Sequence, residues 1–306
     1  MDGYYIVKNE DFVYNPRIST SAPVGPINRN KLGRTGVMSP LYTVFRPHDI
    51  DTTYLEYFFK CGYWHSFMNF NGDSGARSDR FSIRDNVFFQ MPIPIPDIDE
   101  QRKIGELLTC LDNLITLHQR KCALLFSPFQ AFISMMFTTS TFSWEQRKLG
   151  ELVDVCSGRD YKHLSEGTIP VYGTGGYMLS VNDALSYDRD AIGIGRKGTI
   201  DRPYILKAPF WTVDTLFYAI PREKVDLNFA FDIFQNIDWK KKDESTGVPS
   251  LSKTAINDID VLAPKHGEQQ TIGQFFAAID HLITLHQREL EKLKNLKKAC
   301  LEKMFV

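Results

Sequence analysis

The chain has 306 residues, with 36 Lys and Arg against 37 Asp and Glu, and a formal net charge of −1 at pH 7. This length suits two modest domains or one large one, and no apolar run approaches the roughly 20 residues of a membrane-spanning helix. The near-neutral charge excludes a global basic field, so any DNA would be held by local patches or with a partner's help. The five cysteines are scattered and the start lacks a signal peptide, which predicts a reduced, cytoplasmic protein.

The first predicted domain covers residues 1–98, and part of it recurs later in the chain. At an offset of 175 residues, residues 41–64 align with residues 216–239. The first copy has no equivalent of residues 144–183, so we expect the chain to begin partway into a domain.

Two arginines are the candidate DNA contacts of this first domain. Arg17 aligns with Arg196 of the second copy, and Arg29 follows it in the same segment. Arginine can reach both phosphates and guanine edges, although basic runs of this kind are usually only solvated surface.

A long helix and a linker are predicted over residues 99–143. Residues 100–120 recur as residues 268–288 with 12 of 21 positions identical. This period is too long for a solenoid, so the chain is a duplicated domain pair.

Pro128 is expected to end or kink the helix, leaving a second helical piece over residues 129–137 and a linker rich in Ser and Thr. The apolar seam alternates spacings of four and three, as in a heptad repeat, and its pairing positions are Ile104, Leu108, Leu111, Ile115 and His118.

The second domain, residues 144–265, is predicted to be rich in β structure. Strands are expected over residues 191–195 and 211–220, and Asp226 can cap a short helix. Glycine-rich loops cover residues 171–177 and 193–199.

A glycine-rich loop can cradle phosphates, but neither loop matches a P-loop or dinucleotide fingerprint. The first loop is equally consistent with a tight turn. The second favours DNA contact, because basic side chains interleave with glycines that let the backbone approach a duplex. The DNA-contact candidates of this domain are Arg159, Tyr161, Lys162, Tyr172, Arg196, Lys197, Thr199, Arg202 and Lys240.

The last predicted element is a second long helix over residues 266–306. Because its seam nearly copies the first, each helix is the natural partner of the other, in an antiparallel pair. His118 and His286 lie on the two seams, and we interpret them as polar residues that set helix register rather than as metal ligands. The pairing positions of this helix are Ile272, Phe276, Ile279, Ile283 and His286.

Catalytic motifs are missing from the chain. There is no G-x-S-x-G, no H-E-x-x-H and no Asn/Asp-Pro-Pro-aromatic tetrad of the kind that grips a flipped base. We therefore expect no catalytic residues and no metal. A standalone methyltransferase or nuclease is disfavoured, and a coiled-coil assembly protein that never touches DNA stays as an alternative.

Several segments resemble the specificity subunits of type I restriction-modification systems. LDNLITLHQR and IDHLITLHQRELEKLKNLKKACLEKMF are similar to their long helices. WEQRKLGE at residues 144–151, IPVYGTGG at 169–176 and FWTVDT at 210–215 are similar to their target-recognition domains. The resemblance implies an α+β fold in which two β-rich target-recognition domains, the first partial, are joined by two long antiparallel coiled-coil helices in a pseudo-twofold repeat.

The resemblance also implies a function and partners. Each recognition domain would read half of a split target in double-stranded DNA, and about 27 helical residues would separate them by roughly 40 Å, about 12 base pairs. Two methyltransferase subunits, which carry S-adenosylmethionine, would dock on the chain, and restriction subunits could join. The chain itself would need no cofactor. A silent or truncated cassette product that reads one half-site, or self-associates through its helices, is the alternative.

Overall fold

The structure, a computed structural model, describes residues 3–74, 79–138, 144–243 and 245–305. Residues 139–143 of the predicted linker lie outside these ranges. The chain forms two compact units, of which unit 1 combines Met1–Lys121 with His286–Val306 and unit 2 is Cys122–Leu285. No helix in the described ranges is both long and apolar enough to cross a membrane.

Unit 1 is built from short strands and small helices around an aromatic core. Asp51 caps the first helix by accepting the N–H groups of Thr53 and Tyr54, and this helix buries Tyr54, Phe58 and their neighbours. The elements before the long helix are β1 (Tyr5–Val7), β2 (Phe12–Tyr14), β3 (Ile27–Arg29), β4 (Gly36–Met38), β5 (Thr43–Phe45), α1 (Thr52–Lys60), α2 (His65–Asn71), β6 (Asp73–Ser74), β7 (Phe81–Ser82) and α3 (Asp85–Phe88).

Two long helices contribute residues to each unit, namely α4 (Ile98–Thr138) and α8 (His266–Met304). In unit 1 the beginning of α4 packs against the end of α8, because Leu108 and Leu111 share a buried cluster with Phe305. Further along the pair, the ring of His118 in α4 lies against that of His286 in α8, with 5.4 Å between the ring centroids. The two helix segments of unit 1 are therefore antiparallel.

Unit 2 holds the larger sheet and its own helix contacts. Phe276 and Ile283 are buried in a cluster with Ile272, Ile279 and Leu125. The elements of this unit before α8 are β8 (Glu145–Lys148), α5 (Leu149–Leu152), β9 (Val153–Ser157), β10 (Glu166–Gly173), β11 (Gly176–Val181), β12 (Ala191–Gly195), β13 (Tyr204–Leu206), β14 (Trp211–Thr212), β15 (Leu216–Pro221), α6 (Leu227–Asn236), a 3-10 helix (Trp239–Lys242), α7 (Lys253–Asn257) and β16 (Asp260–Ala263).

The sheets of unit 2 are partly antiparallel and partly parallel. The four-stranded sheet has the order β13-β12-β15-β9, and a three-stranded sheet has the order β11-β10-β14 with a parallel pairing of β10 to β14. The mixed α+β architecture predicted from the sequence is confirmed, with strands at residues 191–195 and a helix capped by Asp226.

Two local predictions were wrong. The strand expected over residues 211–220 is interrupted between Thr212 and Leu216, because the Leu216 N–H turns back to the Val213 carbonyl at 3.0 Å. Helix α4 also continues through Pro128. The expected end of the helix at Pro128 is therefore wrong, and the second helical piece expected over residues 129–137 is part of the same helix.

The first glycine-rich loop is a tight hairpin turn. Gly173 pairs with Gly176 at the end of β10 and β11. Gly176 has a φ of +106°, which favours glycine. These glycines therefore serve the turn between two strands.

Candidate nucleic-acid interface

A basic loop follows β12, a buried inner strand of the four-stranded sheet of unit 2. All five residues of β12 are buried, so the chain leaves the core at Gly195, and Arg196 and Lys197 emerge exposed. A Cβ on Gly195 would lie 1.9 Å from the carbonyl oxygen of Thr199, so this close approach requires glycine. Gly198 has a φ of +87°. The loop has a defined shape that its sequence dictates.

Backbone hydrogen bonds hold this loop from both sides. The N–H groups of Arg196 and Lys197 donate to the Thr215 carbonyl at 2.8 and 3.3 Å. From the other side, the Leu251 N–H donates to the Arg196 carbonyl at 3.0 Å. The Arg196 guanidinium lies 5.6 Å from the centre of the Phe217 ring, within cation–π range. These contacts orient an exposed positive charge before any ligand arrives.

A second basic segment follows β9 and is anchored to β14. The Arg159 N–H donates to the Thr212 carbonyl at 2.8 Å, and the Trp211 indole N–H donates to the Arg159 carbonyl at 2.9 Å. Lys162 is exposed, while Tyr161 is half-buried against the same core cluster as Trp211. This segment is therefore fixed to the sheet at Arg159.

The turn at residues 212–215 connects the two basic segments. Its carbonyls accept the N–H groups of both Arg159 and Arg196, which are far apart in the sequence. The backbones of both basic segments are thus held at one turn, in a chain whose net charge is −1. The basic residues were predictable from the sequence, but the turn that holds both segments was not, because the residue pattern predicted a continuous strand through residues 212–215.

The other candidates of unit 2 differ in their availability. Arg202 is exposed, whereas Thr199 and Tyr172 are half-buried. Lys240 is exposed but forms an ion pair with Asp201 at 2.8 Å. Its hydrogen bond lowers the pKa of Asp201, so a carboxylate balances the lysine charge. Of these four residues, Arg202 is the most available for a phosphate.

In unit 1 the two predicted arginines differ in exposure and in their partners. Arg17 is exposed and forms a backbone bridge with Arg80. Arg29 is half-buried, and its guanidinium pairs with Glu56 at 2.9 Å and Glu10 at 3.4 Å, with 9% of its side chain exposed. Two carboxylates thus hold the Arg29 guanidinium, and its contact with DNA stays a prediction. Its charge neutralises a buried carboxylate, which a one-dimensional pattern does not reveal.

The paired helices carry a second candidate surface that the sequence analysis missed. In unit 1, α4 exposes three leucines spaced seven and three residues apart, a spacing that puts them on one face. In unit 2, α8 exposes an apolar stripe at the matching positions of the repeat. The two stripes are Leu107, Leu114 and Leu117 in unit 1, and Phe275, Leu282 and Leu285 in unit 2.

The residues of these stripes are not among the seam positions through which the helices pair. Beside the first of them is a groove of about 550 Å³ lined in part by Thr109, Cys110 and Asn113. The available signal was the identity of Leu114 with Leu282 and of Leu117 with Leu285, at positions the pairing does not need. Large apolar side chains that are exposed at equivalent positions in both copies of the repeat indicate an interaction surface.

The predicted seam positions lie mainly at the packed faces. Within unit 1, Leu108 and Leu111 are buried and Ile104 packs against them, while Ile115 is half-buried. The Nδ1 atoms of His118 and His286 are buried without a hydrogen-bond partner among the described residues. Within the ranges that the structure describes, no cluster of three or more His, Cys, Asp or Glu could hold a metal ion.

Solved structures of similar fold support this architecture. The crystal structure of a type I restriction-modification system S subunit from M. genitalium superposes with a TM-score of 0.70 at 16% identity, covering 98% of this chain and 84% of that chain. The HsdS subunit from Thermoanaerobacter tengcongensis superposes with a TM-score of 0.51 at 14% identity, covering 98% and 81%.

Sequence comparison gives the family. The curated relatives include the type I restriction enzyme MjaVIII specificity subunit of Methanocaldococcus jannaschii, 24% identical over 69% of this chain. The putative MjaX specificity subunit of the same organism is 23% identical over 71%. The chain spans about 60% of the length of these relatives. The model of the type I restriction modification DNA specificity domain matches residues 3–125 and 143–295, and the chain therefore belongs to this family of specificity subunits.

Proposed function

We propose that this chain is a non-catalytic subunit that selects the DNA target of a type I restriction-modification complex. The observation that carries the proposal is the pair of basic segments held at one turn of unit 2. Residues 196–199 and the Arg159 segment are both anchored to residues 212–215, so their charges are positioned before DNA binds. Phosphate contacts from such residues fix the register, and base contacts select the sequence.

Unit 1 would read the other half of a split target, or its phosphates alone. Arg17 is its exposed candidate, and Arg29, half-buried and paired with Glu56, would be available only if that pair opened. The long helices would set the spacing between the two half-sites.

The duplicated apolar stripes support two identical partners. One stripe is exposed in each unit, at equivalent positions of the repeat. Two copies of one surface suit two copies of one protein, and methyltransferase subunits are the partners the family resemblance implies. These subunits would bind S-adenosylmethionine and flip the target adenine. Restriction subunits would join the assembled complex, and this chain would need no cofactor of its own.

The direct test is methylation by the reconstituted complex. The full chain is co-expressed with the methyltransferase subunit of its own system, and methylated adenines are mapped by sequencing. A gapped adenine motif is the expected result, and its two halves report on the two units. A complex that assembles but methylates no defined motif would contradict target selection, and failure to assemble would contradict the partner proposal.

A matched pair of variants tests the loop itself. Arg196→Ala combined with Lys197→Ala should weaken specific DNA binding at least about tenfold and lower the salt dependence by about two phosphate contacts. Lys253→Ala combined with Lys265→Ala removes the same charge from two other exposed positions of unit 2 and should change binding less than about twofold. Equal losses in both double variants would show that general charge, not this loop, attracts DNA.

An assembly protein that never touches DNA is the second candidate. The exposed stripes on α4 and α8 favour it, because they serve assembly without DNA. It predicts that the Arg196 and Lys197 double variant assembles and methylates normally, while Leu114→Glu combined with Leu117→Glu loses the partner.

A further inference from the structure

The hairpin formed by β10 and β11 in unit 2 carries two large apolar side chains at its tip. Tyr177 is 63% exposed and Met178 is 49% exposed, although the same strand goes on to bury Val181 in the core. The hairpin is also uncharged, because residues 167–182 contain no Asp, Glu, Lys, Arg or His. Neighbouring apolar side chains that are exposed on a charge-free tip indicate a contact surface rather than a merely solvated turn.

Contacts with the core hold this tip in one position. The Tyr204 hydroxyl donates to the Gly173 carbonyl at 2.6 Å, and the rings of Tyr172 and Tyr204 lie 6.1 Å apart between centroids. The Tyr177 ring lies 6.4 Å from the Tyr172 ring and nearly perpendicular to it, so one edge is held while most of the ring faces solvent. A side chain that is positioned beforehand loses little conformational entropy when it binds a ligand.

Glycines allow another surface to approach this tip closely. A Cβ on Gly173 would lie 2.8 Å from the sulfur of Met178, so the thioether lies across the glycine. Nothing lies within 4 Å of a Cβ on Gly175 or Gly176, so the backbone of the turn is uncovered on its outer side. Glycine at such a position is typical of places where a ligand or another backbone comes close.

The tip is attached to the same turn as the two basic segments. Thr212 pairs with Tyr172 in the parallel ladder of β14 and β10. The Thr212 carbonyl also accepts the Arg159 N–H at 2.8 Å, and the same turn holds the backbone of Arg196. The apolar tip and the backbones of both basic segments are therefore fixed to one another through a single turn.

Charge on the adjoining segments favours DNA as the ligand of the tip. In residues 159–163, 196–198 and 212–215, the exposed cations outnumber the exposed carboxylates. The cations are Arg159, Lys162, Arg196 and Lys197, and the carboxylates are Asp160 and Asp214. An apolar tip beside cations matches proteins that insert a side chain between base steps while lysine and arginine contact the neighbouring phosphates.

We propose that the β10–β11 tip enters a groove of the bound duplex and that Tyr177 inserts between two adjacent bases, with Met178 beside it. This inference rests on the proposed DNA binding of the chain and adds a second way of selecting a target. The ring would partly unstack one base step, at a cost that depends on the sequence of that step. Flexible pyrimidine–purine steps would therefore be preferred under the tip, without any hydrogen bond to their bases.

A protein partner fits the tip less well. An apolar protein surface would have to cover the cations of the adjoining segments, and desolvating a charge without a partner costs free energy. The exposed stripes on α4 and α8 already offer apolar surface at equivalent positions in both copies of the repeat, whereas this tip lies beside basic segments. A partner of this class is accordingly one of the outcomes that the test distinguishes.

Binding of the reconstituted complex to its mapped target duplex tests the inference. Tyr177→Ala should weaken binding at least about tenfold, because the stacking of an aromatic ring on a base is lost. The salt dependence of binding should stay the same, since no phosphate contact is removed. This separates the variant from the Arg196 and Lys197 double variant, which lowers the salt dependence.

Two further variants control for the fold and for general surface effects. Tyr177→Phe keeps the ring and should bind within about twofold of the natural chain, because stacking needs no hydroxyl. Tyr187→Ala removes a tyrosine that is 62% exposed but lies before β12, at the opposite end of that strand from Arg196. It should also bind within about twofold, since single exposed apolar residues are common on protein surfaces.

A mismatched duplex measures the unstacking itself. 2-Aminopurine, placed in turn at each position of the target apart from the methylated adenines, locates the unstacked step by its increased fluorescence. A mismatch at that step lowers the cost of unstacking, so the natural chain should bind it at least about fivefold more tightly than the matched duplex. Tyr177→Ala, which leaves the step stacked, should gain less than about twofold from the same mismatch.

The outcomes separate this inference from the proposed function. A Tyr177→Ala complex that binds and methylates like the natural one, or equal losses in Tyr177→Ala and Tyr187→Ala, would overturn the inference and leave target selection in place. Loss of the methyltransferase subunit from the Tyr177→Ala complex would assign the tip to a protein partner and overturn it as well. A natural complex that binds no defined target would contradict the proposed function, and the inference would fall with it before any variant is made.

Discussion

The side-chain oxygen of Gln101 accepts a hydrogen bond from the backbone N–H of Asp51 at 2.8 Å, and Gln101 is 2% exposed. The Gln101 amide also donates to the carbonyl of the proline five residues before it. Unit 2 repeats this arrangement, with Gln269 accepting from the Asp226 N–H at 3.2 Å and donating to a proline carbonyl. In each unit one buried amide thus joins the start of a long helix to the cap of a short one.

Replacing either glutamine by leucine should destabilise its unit. Gln101→Leu and Gln269→Leu each leave a buried backbone N–H without its acceptor, which costs about 1–3 kcal/mol. Urea unfolding followed by tryptophan fluorescence measures the change. Gln119→Leu, at an exposed position of α4, is the control and should alter the free energy of unfolding by less than about 0.5 kcal/mol. Equal effects at the buried and exposed positions would contradict the role of the buried amide.

Glycines of the long helices should respond differently to alanine. A Cβ on Gly273 would lie 2.5 Å from Asp226 Oδ1 and 2.6 Å from the Phe229 nitrogen, whereas one on Gly105 meets its neighbours at 3.2 Å or more. We expect Gly273→Ala to lower the melting temperature, because helix α8 must move away from α6. Gly105→Ala should be milder, since alanine's helix propensity offsets part of the crowding by up to about 1 kcal/mol.

Gly267→Ala is the control for this pair, because nothing lies within 4 Å of its added Cβ. It should be neutral or stabilising. A Gly273→Ala protein as stable as Gly267→Ala would show that the helices tolerate the extra methyl group.

Asp232 should make stability depend on pH. Burial, with Asp280 and Asp226 adding to it, raises the pKa of Asp232 to about 9, and its Oδ2 has no hydrogen-bond partner among the described residues. The folded state therefore keeps a proton that the unfolded state loses above about 3.8. By linkage, this group lowers stability progressively as pH rises from about 4 to about 9.

Asp232→Asn should remove that penalty. The variant should gain at least about 1 kcal/mol relative to the natural chain at pH 8.5, and much less at pH 5. Denaturant titrations at both pH values measure the difference. Asp188→Asn, at an exposed position, should show no such pH dependence. A gain that is the same at both pH values would contradict a buried, protonated carboxyl.

Lys297 and Asp112 should stabilise unit 1 in a pH-dependent way. Lys297 forms an ion pair with Asp112, whose second oxygen accepts the Tyr57 hydroxyl at 2.9 Å. Burial acts to raise the pKa of Asp112, but the hydrogen bonds from Lys297 and Tyr57 outweigh it, so the pKa is lowered. This stabilisation is present above 3.8 and is lost as pH falls through the lower pKa of the folded state.

Lys297→Met should cost about 0.5–1 kcal/mol at pH 7, since the pair is partly exposed. The cost should shrink as pH falls below 3.8, because Asp112 then gains a proton in the unfolded state before it does in the folded state. Lys292→Met, from an exposed pair within one helix, should cost less at pH 7. A cost for Lys297→Met that does not change between pH 7 and pH 3 would rule out the ion pair as its source.

Part of this structure could be predicted from residue order alone. The paired long helices follow from a duplicated apolar spacing, because a heptad seam must be covered and the nearest matching seam is in the same chain. The capped helix after Asp226 follows from a local hydrogen bond that needs no distant partner. The family resemblance rests on the same local and repeated features.

Only the tertiary structure decided the state of individual candidates. Arg29 pairs with Glu56, which is distant in sequence, and the backbones of Arg159 and Arg196 are held at one turn that accepts hydrogen bonds from both. Periodicity reports which face of an element is apolar, whereas charge pairing and strand neighbours depend on segments that meet only after the chain has folded.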